Sequence, residues 1–128
     1  MTRTLGVVLM IIAILAGCSD GTAGMEVTNS SPPEAKLAAI DLGTRRVPPD
    51  TIATYASVLD RLQGKCTEPR DRIGDFAVVG VDQLKEEKGM EVTIYRFLRM
   101  MDDSVPSSTD KLKCIEIAAA LVTLTERP

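Results

Sequence analysis

Residues 47–66 read VPPDTIATYASVLDRLQGKC, and this stretch decides the fold class. Ile52, Tyr55, Leu59, Leu62 and Cys66 follow one another at spacings of 3, 4, 3 and 4. Such spacing puts all five on one face of an α-helix. Pro48 and Pro49 suit a first turn, where a backbone N–H has no partner within the helix anyway. Asp50 complements the positive end of the helix dipole. Gly64 weakens the last turn, so Cys66 is expected at or just beyond the helix end.

The pattern continues toward the C-terminus. Thr67 can cap a second helix, Glu68 favours its N-terminal end, and Pro69 fits its first turn. Ile73, Phe76, Ala77, Gly80 and Leu84 form its stripe, widened by Val78, Val79 and Val81. The β-branched residues also permit a strand over 76–81. The polar run 83–88 continues without a break and favours helix, and Gly89 is a good stop. Gly74 and Gly80 are expected to let a neighbouring helix approach closely. Met90, Ile94, Phe97 and Met101, with Leu98 alongside, predict a third helix; a strand over 91–95 is the rival. Arg96 and Arg99 fall away from that stripe, and Pro106 ends it. Ser107 and Asp110 then open a fourth helix. Leu112, Ile115, Ala119 and Val122 form one row, and Cys114, Ile117, Ala118, Leu121 and Leu124 another, so this helix is expected to be central. Four helices with short links predict an all-α fold, a small up-down four-helix bundle over 47–128.

Toward the N-terminus the periodicity fades. Ser31-Pro32-Pro33-Glu34 can open a short helix over 32–42, with Leu37 and Ile40 on one face and Gly43 as its end. It is expected either loose or lying on the main body. Arg45-Arg46 could meet a protease or an anionic lipid, but a solvated linker outweighs both readings. Residues 18–31, CSDGTAGMEVTNSS, are rich in Gly, Ser, Thr and Asn and lack an apolar period. The whole of 18–46 is therefore expected to be a flexible tether.

Residues 1–18 read MTRTLGVVLMIIAILAGC. Arg3 supplies a positive start, Leu5 to Leu15 a charge-free apolar run, and small residues a close, the layout of a secretory signal. Leu15-Ala16-Gly17-Cys18 resembles the lipobox of bacterial lipoproteins. The resemblance covers this segment alone. It implies removal of residues 1–17, a diacylglyceryl group in thioether linkage on Cys18, and acylation, for example with palmitate, of the new N-terminal amine. An uncleaved transmembrane helix is the bland alternative. A bilayer needs roughly 20 apolar residues, and this run is too short. A lone Arg3 does not make a twin-arginine signal. Ser19 is not the Asp that resembles an inner-membrane retention signal, so outer-membrane delivery is open to a two-membrane host.

With Cys18 committed to lipid, Cys66 and Cys114 remain, an even pair in an exported chain. They are expected to form a disulfide. In an alternating bundle, the end of the first helix and the start of the fourth share a pole, so the two thiols can meet. The bond would close a loop of about 49 residues, worth roughly 4 kcal/mol in the chain-entropy model.

Composition narrows the function. Without Arg3 the 15 basic residues become 14 against 18 acidic ones. That weakly acidic balance argues against a nucleic-acid partner. Two Tyr, two Phe and no Trp disfavour stacking sites for sugars or bases. There is no His, so the commonest general base and metal ligand is missing. No catalytic, cofactor-binding or metal-binding residue is assigned. Asp71, Asp75 and Asp82 could share a helix face, and Asp102-Asp103 are adjacent, but a solvated acidic surface is the favoured reading. Met90, Met100 and Met101 with Phe97 could form an adaptable apolar patch, although core filling is the simpler account. The expectation is a non-enzymatic protein-interaction module of the cell envelope, anchored in the membrane through Cys18 and facing outside the cytoplasm. An envelope enzyme using an unrecognised carboxylate site is the alternative.

Overall fold

The computed structural model describes residues 24–108 and 110–126. Residues 1–17 and Cys18, on which the signal and anchor readings rest, lie outside them. Among the described residues the chain is mostly helical, with five helices: α1 (Pro33–Leu42), α2 (Pro49–Lys65), α3 (Arg70–Lys88), α4 (Ile94–Ser104) and α5 (Cys114–Leu124). Two short strands, β1 (Met25–Glu26) and β2 (Arg46–Val47), pair antiparallel.

α2 follows its stripe closely. Tyr55, Val58, Leu59 and Leu62 are buried, and Cys66 caps the end with its N–H on the Leu62 carbonyl. α3 is helical through 76–81, and Ile73, Phe76, Ala77, Gly80 and Leu84 are buried. Gly43 and Gly89 end α1 and α3 in the left-handed conformation, at φ 69° and 64°. Glycine reaches that region without a Cβ clash.

The first correction concerns 24–46. This segment was expected to be a tether, but much of it belongs to the packed body. Val47 lies fully buried behind β1, Val27 packs against the core, and α1 buries Ala35, Leu37 and Ala38 against it. Among the described residues the body therefore counts five helices, the fifth being α1, the short helix expected over 32–42, which lies on the main body. The reason is the composition of PEAKLAAIDL. Its core-facing side is largely alanine, so it lies close to its neighbours without showing a strong apolar stripe. Leu37 reaches Gly74 of α3, where an added Cβ would stand 3.2 Å from Leu37 Cδ1.

Two helix starts also move. α4 begins at Ile94, not at Met90, because Thr93 Oγ1 accepts the Arg96 N–H at 3.1 Å and fixes the cap there. Residues 89–93 form neither helix nor strand. α5 begins at Cys114, not near Ser107, because Leu112 is held in a parallel bridge to the end of α2. Leu112 donates to the Lys65 carbonyl and Thr67 donates to the Leu112 carbonyl, both at 2.9 Å. A helix including Leu112 would break both bonds. α5 is not central either. Only Cys114, Ala118 and Val122 of its 11 residues are buried.

Contacts at the helix ends sort into two groups. The start of α1 meets the start of α3 through Glu34 and Arg70, the end of α2 meets the end of α4 through Lys65 and Asp102, and Cys66 meets Cys114. At the other ends, Asp41 of α1 meets the start of α4, and Lys88 of α3 meets the Thr123 and Thr125 carbonyls of α5.

α3 and α4 approach closely at Gly80. An added Cβ there would stand 2.7 and 2.8 Å from Cε1 and Cε2 of the fully buried Phe97 ring, and closer still to Cζ. Gly80→Ala is expected to destabilise the fold by about 1–3 kcal/mol through overpacking. Adding Phe97→Leu to that variant should recover part of the loss, although Phe97→Leu alone is destabilising. Chemical denaturation of the three variants checks the coupling.

Candidate functional site

The densest chemistry lies where α2 ends and α5 begins. Cys66 and Cys114 are joined in a disulfide with Cα atoms 5.4 Å apart. Both are almost fully buried. Glu68 stands beside them. Its two carboxylate oxygens accept the N–H groups of Cys114 at 2.9 Å and Ile115 at 3.1 Å, which are orphan donors of the first turn of α5. The sequence placed Glu68 at the start of its own helix; the structure turns it across to another. Burial pushes the Glu68 carboxyl up, but these two N–H groups, with smaller local hydrogen bonds, outweigh it and hold the group below its ordinary range.

Cys66, Glu68 and Cys114 are also the grouping among the described residues whose ligand atoms could reach one ion. The sulfurs are bonded to each other and the carboxylate is engaged by backbone donors, so the trio acts as a structural clasp.

Asp102 is the buried acid of the core, 8% exposed. Lys65 Nζ and Arg61 Nε each approach one of its carboxylate oxygens at 2.8 Å, and Lys65 also donates to its backbone carbonyl at 3.0 Å. Burial raises its pKa, while the two cations outweigh that effect and hold it below the usual carboxylate value. The neighbouring Asp103 is exposed. Asp102 thus joins α4 to α2 and is not half of a carboxylate pair.

Asp41 plays a similar part at the other pole. It accepts the N–H groups of Ile94 at 2.8 Å and Tyr95 at 2.9 Å, and the Tyr55 hydroxyl at 2.5 Å. Burial, and then the Asp41 carboxylate, push the Tyr55 phenol up. Nothing local in the chain announces this role, because Asp41 and Ile94 are 53 residues apart.

The carboxylates of α3 do not converge. Asp71 and Asp75 line a shallow groove with Lys36 and Leu37, whereas Asp82 lines another with Asp41, Lys85 and Glu91. The methionine patch divides as well. Met101 and Phe97 are fully buried, while Met90 and Met100 line a groove with Arg96 and Glu91.

A different apolar surface is present. Val79 of α3 is 53% exposed and Ile115 of α5 is 48% exposed. Together with Phe76, Gly80, Ala118 and Ala119 they line a groove of about 270 Å³ between α3 and α5. The groove exists because α5 is apolar nearly all round but buries one narrow row. No described helix is long and apolar enough to cross a membrane.

No protein-family model, curated protein or solved structure matches the chain.

Two predictions follow from the clasp and from Asp102. Replacing both Cys66 and Cys114 by Ser is expected to cost roughly 4 kcal/mol. At about 4–8 degrees per kcal/mol, the melting temperature should fall by well over ten degrees. Helical circular dichroism at low temperature should remain, since Glu68 and the rest of the core are untouched.

The second concerns acid. Glu68 and Asp102 are held below their ordinary values of 4.5 and 3.8 in the folded state. Each therefore adds stability that is present above its unfolded value and lost as pH falls through the folded one. Stability should be level above about pH 5 and decline below it. Glu68→Gln should lower the neutral-pH plateau by about 1 kcal/mol, as for a lost cap. Asp102→Asn should lower it by about 1–3 kcal/mol, because two cations lose their partner. Both variants should show a shallower acid decline in melts across pH 2–7.

Proposed function

We propose that this chain is a lipid-anchored, extracytoplasmic protein of the cell envelope and works as a non-enzymatic protein-interaction module. The groove between α3 and α5 carries the reading. An exported domain that leaves Val79 and Ile115 open, with small residues between them, offers a partner an apolar seat with backbone close at hand. The Cys66–Cys114 bond supports an oxidising compartment, where such bonds persist. The Leu15 to Cys18 signature supports the anchor, a lipid on Cys18 that holds the protein to the membrane. The partner is a protein, and nucleic acid is disfavoured by the acidic balance.

The body in this reading is an up-down bundle. α2 to α5 alternate in direction, and α1 is added on one side, which the pairing of helix ends supports. Such a body is a rigid display frame that can present the open apolar row between α3 and α5 to a partner.

Two measurements test the proposal. Cys18→Ala should leave an uncleaved precursor without lipid label; acylation and cleavage at the usual place would reject the anchor. A photo-reactive side chain at Val79 or Ile115 should yield one discrete protein adduct in intact cells, with none from Thr54 on the exposed side of α2. Absence of an adduct from either groove position, or identical adducts from all three, would reject the interaction surface.

A further inference from the structure

We propose that the partner seated on the groove between α3 and α5 is a second copy of this chain, packed antiparallel through α3 about a two-fold axis at Val79. The inference rests on the interaction surface proposed above and names its occupant.

The first argument is the order of groups along α3. The row turned to the groove reads Arg72, Phe76, Val79, Gln83 and Glu86, at spacings of 4, 3, 4 and 3, which is one helix face. Phe76, Val79 and Gln83 line the groove, with Ile115 and Ala119 of α5 alongside. Arg72 continues that surface at one end, its guanidinium carbon 5.8 Å from the centre of the Phe76 ring. Glu86 continues it at the other end, about one turn beyond Gln83. Val79, 53% exposed, is the midpoint. Arg72 lies seven residues before it and Glu86 seven after, about 10 Å along the helix in each direction.

Such a row is complementary to itself reversed. In a two-fold contact the same patch serves both copies, and residue i meets j where j meets i. An antiparallel α3 pair crossing at Val79 sets Arg72 against Glu86 of the second copy, and Glu86 against its Arg72. The apolar centre meets itself, and Asp75 falls opposite Gln83, whose amide can donate to it. A two-fold pairing of parallel helices would instead place arginine on arginine and acid on acid. Both charged groups are exposed, and among the described residues neither takes part in an ion pair.

The other charges nearby do not oppose this register. Asp71 and Asp82 line grooves on the α1 side of α3. Glu68 is taken by the first turn of α5, and Lys88 by the Thr123 and Thr125 carbonyls. Glu87 adds to the acid end that faces Arg72 of the copy. α5 carries one charged side chain, Glu116, and its exposed row of Ile115, Ala119 and Thr123 is uncharged. About Ala119 the same two-fold sets Ile115 against Thr123 and Glu116 level with Val122, so no acid meets an acid there. The net acidic balance of two copies repels at long range, but salt screens that beyond about 8 Å, whereas the paired groups are in contact. Points related by a two-fold axis also lie at equal height along it, so lipids on both Cys18 residues can enter one membrane surface.

The test uses the full chain in intact cells. Val79→Cys puts a thiol on the axis, where each residue meets its own copy, and Thr54→Cys puts one on the exposed side of α2. A short bismaleimide should join Val79→Cys chains into a species of twice the chain mass and leave Thr54→Cys chains single. Adding Arg72→Glu or Glu86→Arg to Val79→Cys sets like charges together at both ends and should lower the dimer yield about fivefold or more. Co-expressing those two variants with different tags restores opposite charges at both ends, so mixed dimers should return to the parental yield; a chain that had failed to fold would not be rescued. Equal yields from Val79→Cys and Thr54→Cys, or from Val79→Cys with and without the charge changes, would overturn the dimer. A photo-adduct at Val79 whose mass is not twice that of the chain, without a bismaleimide dimer, would overturn the second copy and leave the interaction surface standing. Neither dimer nor adduct would overturn both.

Discussion

The junction between the end of α2 and the start of α5 holds the chain together in three ways at once. A covalent bond joins Cys66 to Cys114, a two-hydrogen-bond bridge joins 65–67 to Leu112, and the Glu68 carboxylate closes the first turn of α5. These depend on one another. The bridge sets the height of Leu112, which sets where α5 can start. That start brings Cys114 beside Cys66 and presents its N–H to Glu68. α5 buries only three residues of its own, and it is held at both ends, by this junction and by Lys88 on the Thr123 and Thr125 carbonyls. A helix held at its ends can leave its outer face bare, and the groove at Val79 and Ile115 follows from that.

The opposite pole solves the same problem without covalent help. Asp41, at the end of α1, satisfies two orphan N–H groups of α4 and takes the Tyr55 hydroxyl of α2. One carboxylate ties three helices together. In both cases an acid from an earlier segment caps a later helix, where complementary charge and an unpaired donor meet. Arg70 is the cationic counterpart, reaching Glu34 of α1 and Asp60, Gln63 and the Ala56 carbonyl of α2. Its burial lowers its pKa, and its carboxylate partners more than restore it. Much of the relative placement of these helices is thus specified by polar groups at their ends, with apolar packing between.

What the sequence revealed and what it concealed divide along that line. Periodicity identified α2, α3 and the buried face of α4, because each places large apolar groups at helical intervals. Cysteine arithmetic pointed to the disulfide, since reading Cys18 as a lipid site left Cys66 and Cys114 as the pair, and those two are bonded. Gly74 and Gly80 were read as close approaches, and Leu37 and Phe97 are what approaches them. The hidden parts are non-local. Nothing near Asp41 or Glu68 in the chain announces the helix that each one caps. Whether α1 packs on the body was left open for another reason. Alanine packs by being small, so Ala35 and Ala38 bury well but contribute little contrast to an apolar stripe. The two apolar rows of α5 misled in the opposite direction, because apolar composition records suitability for burial and not whether a partner surface lies within the same chain.

That last distinction bears on what the molecule is for. The bare apolar row of α5 has a structural origin in the clasp, which fixes where the helix starts. Ile115 stands in the first turn of α5, next to Cys114. The junction that fixes the start of the helix therefore also fixes where its bare row stands against Val79 of α3.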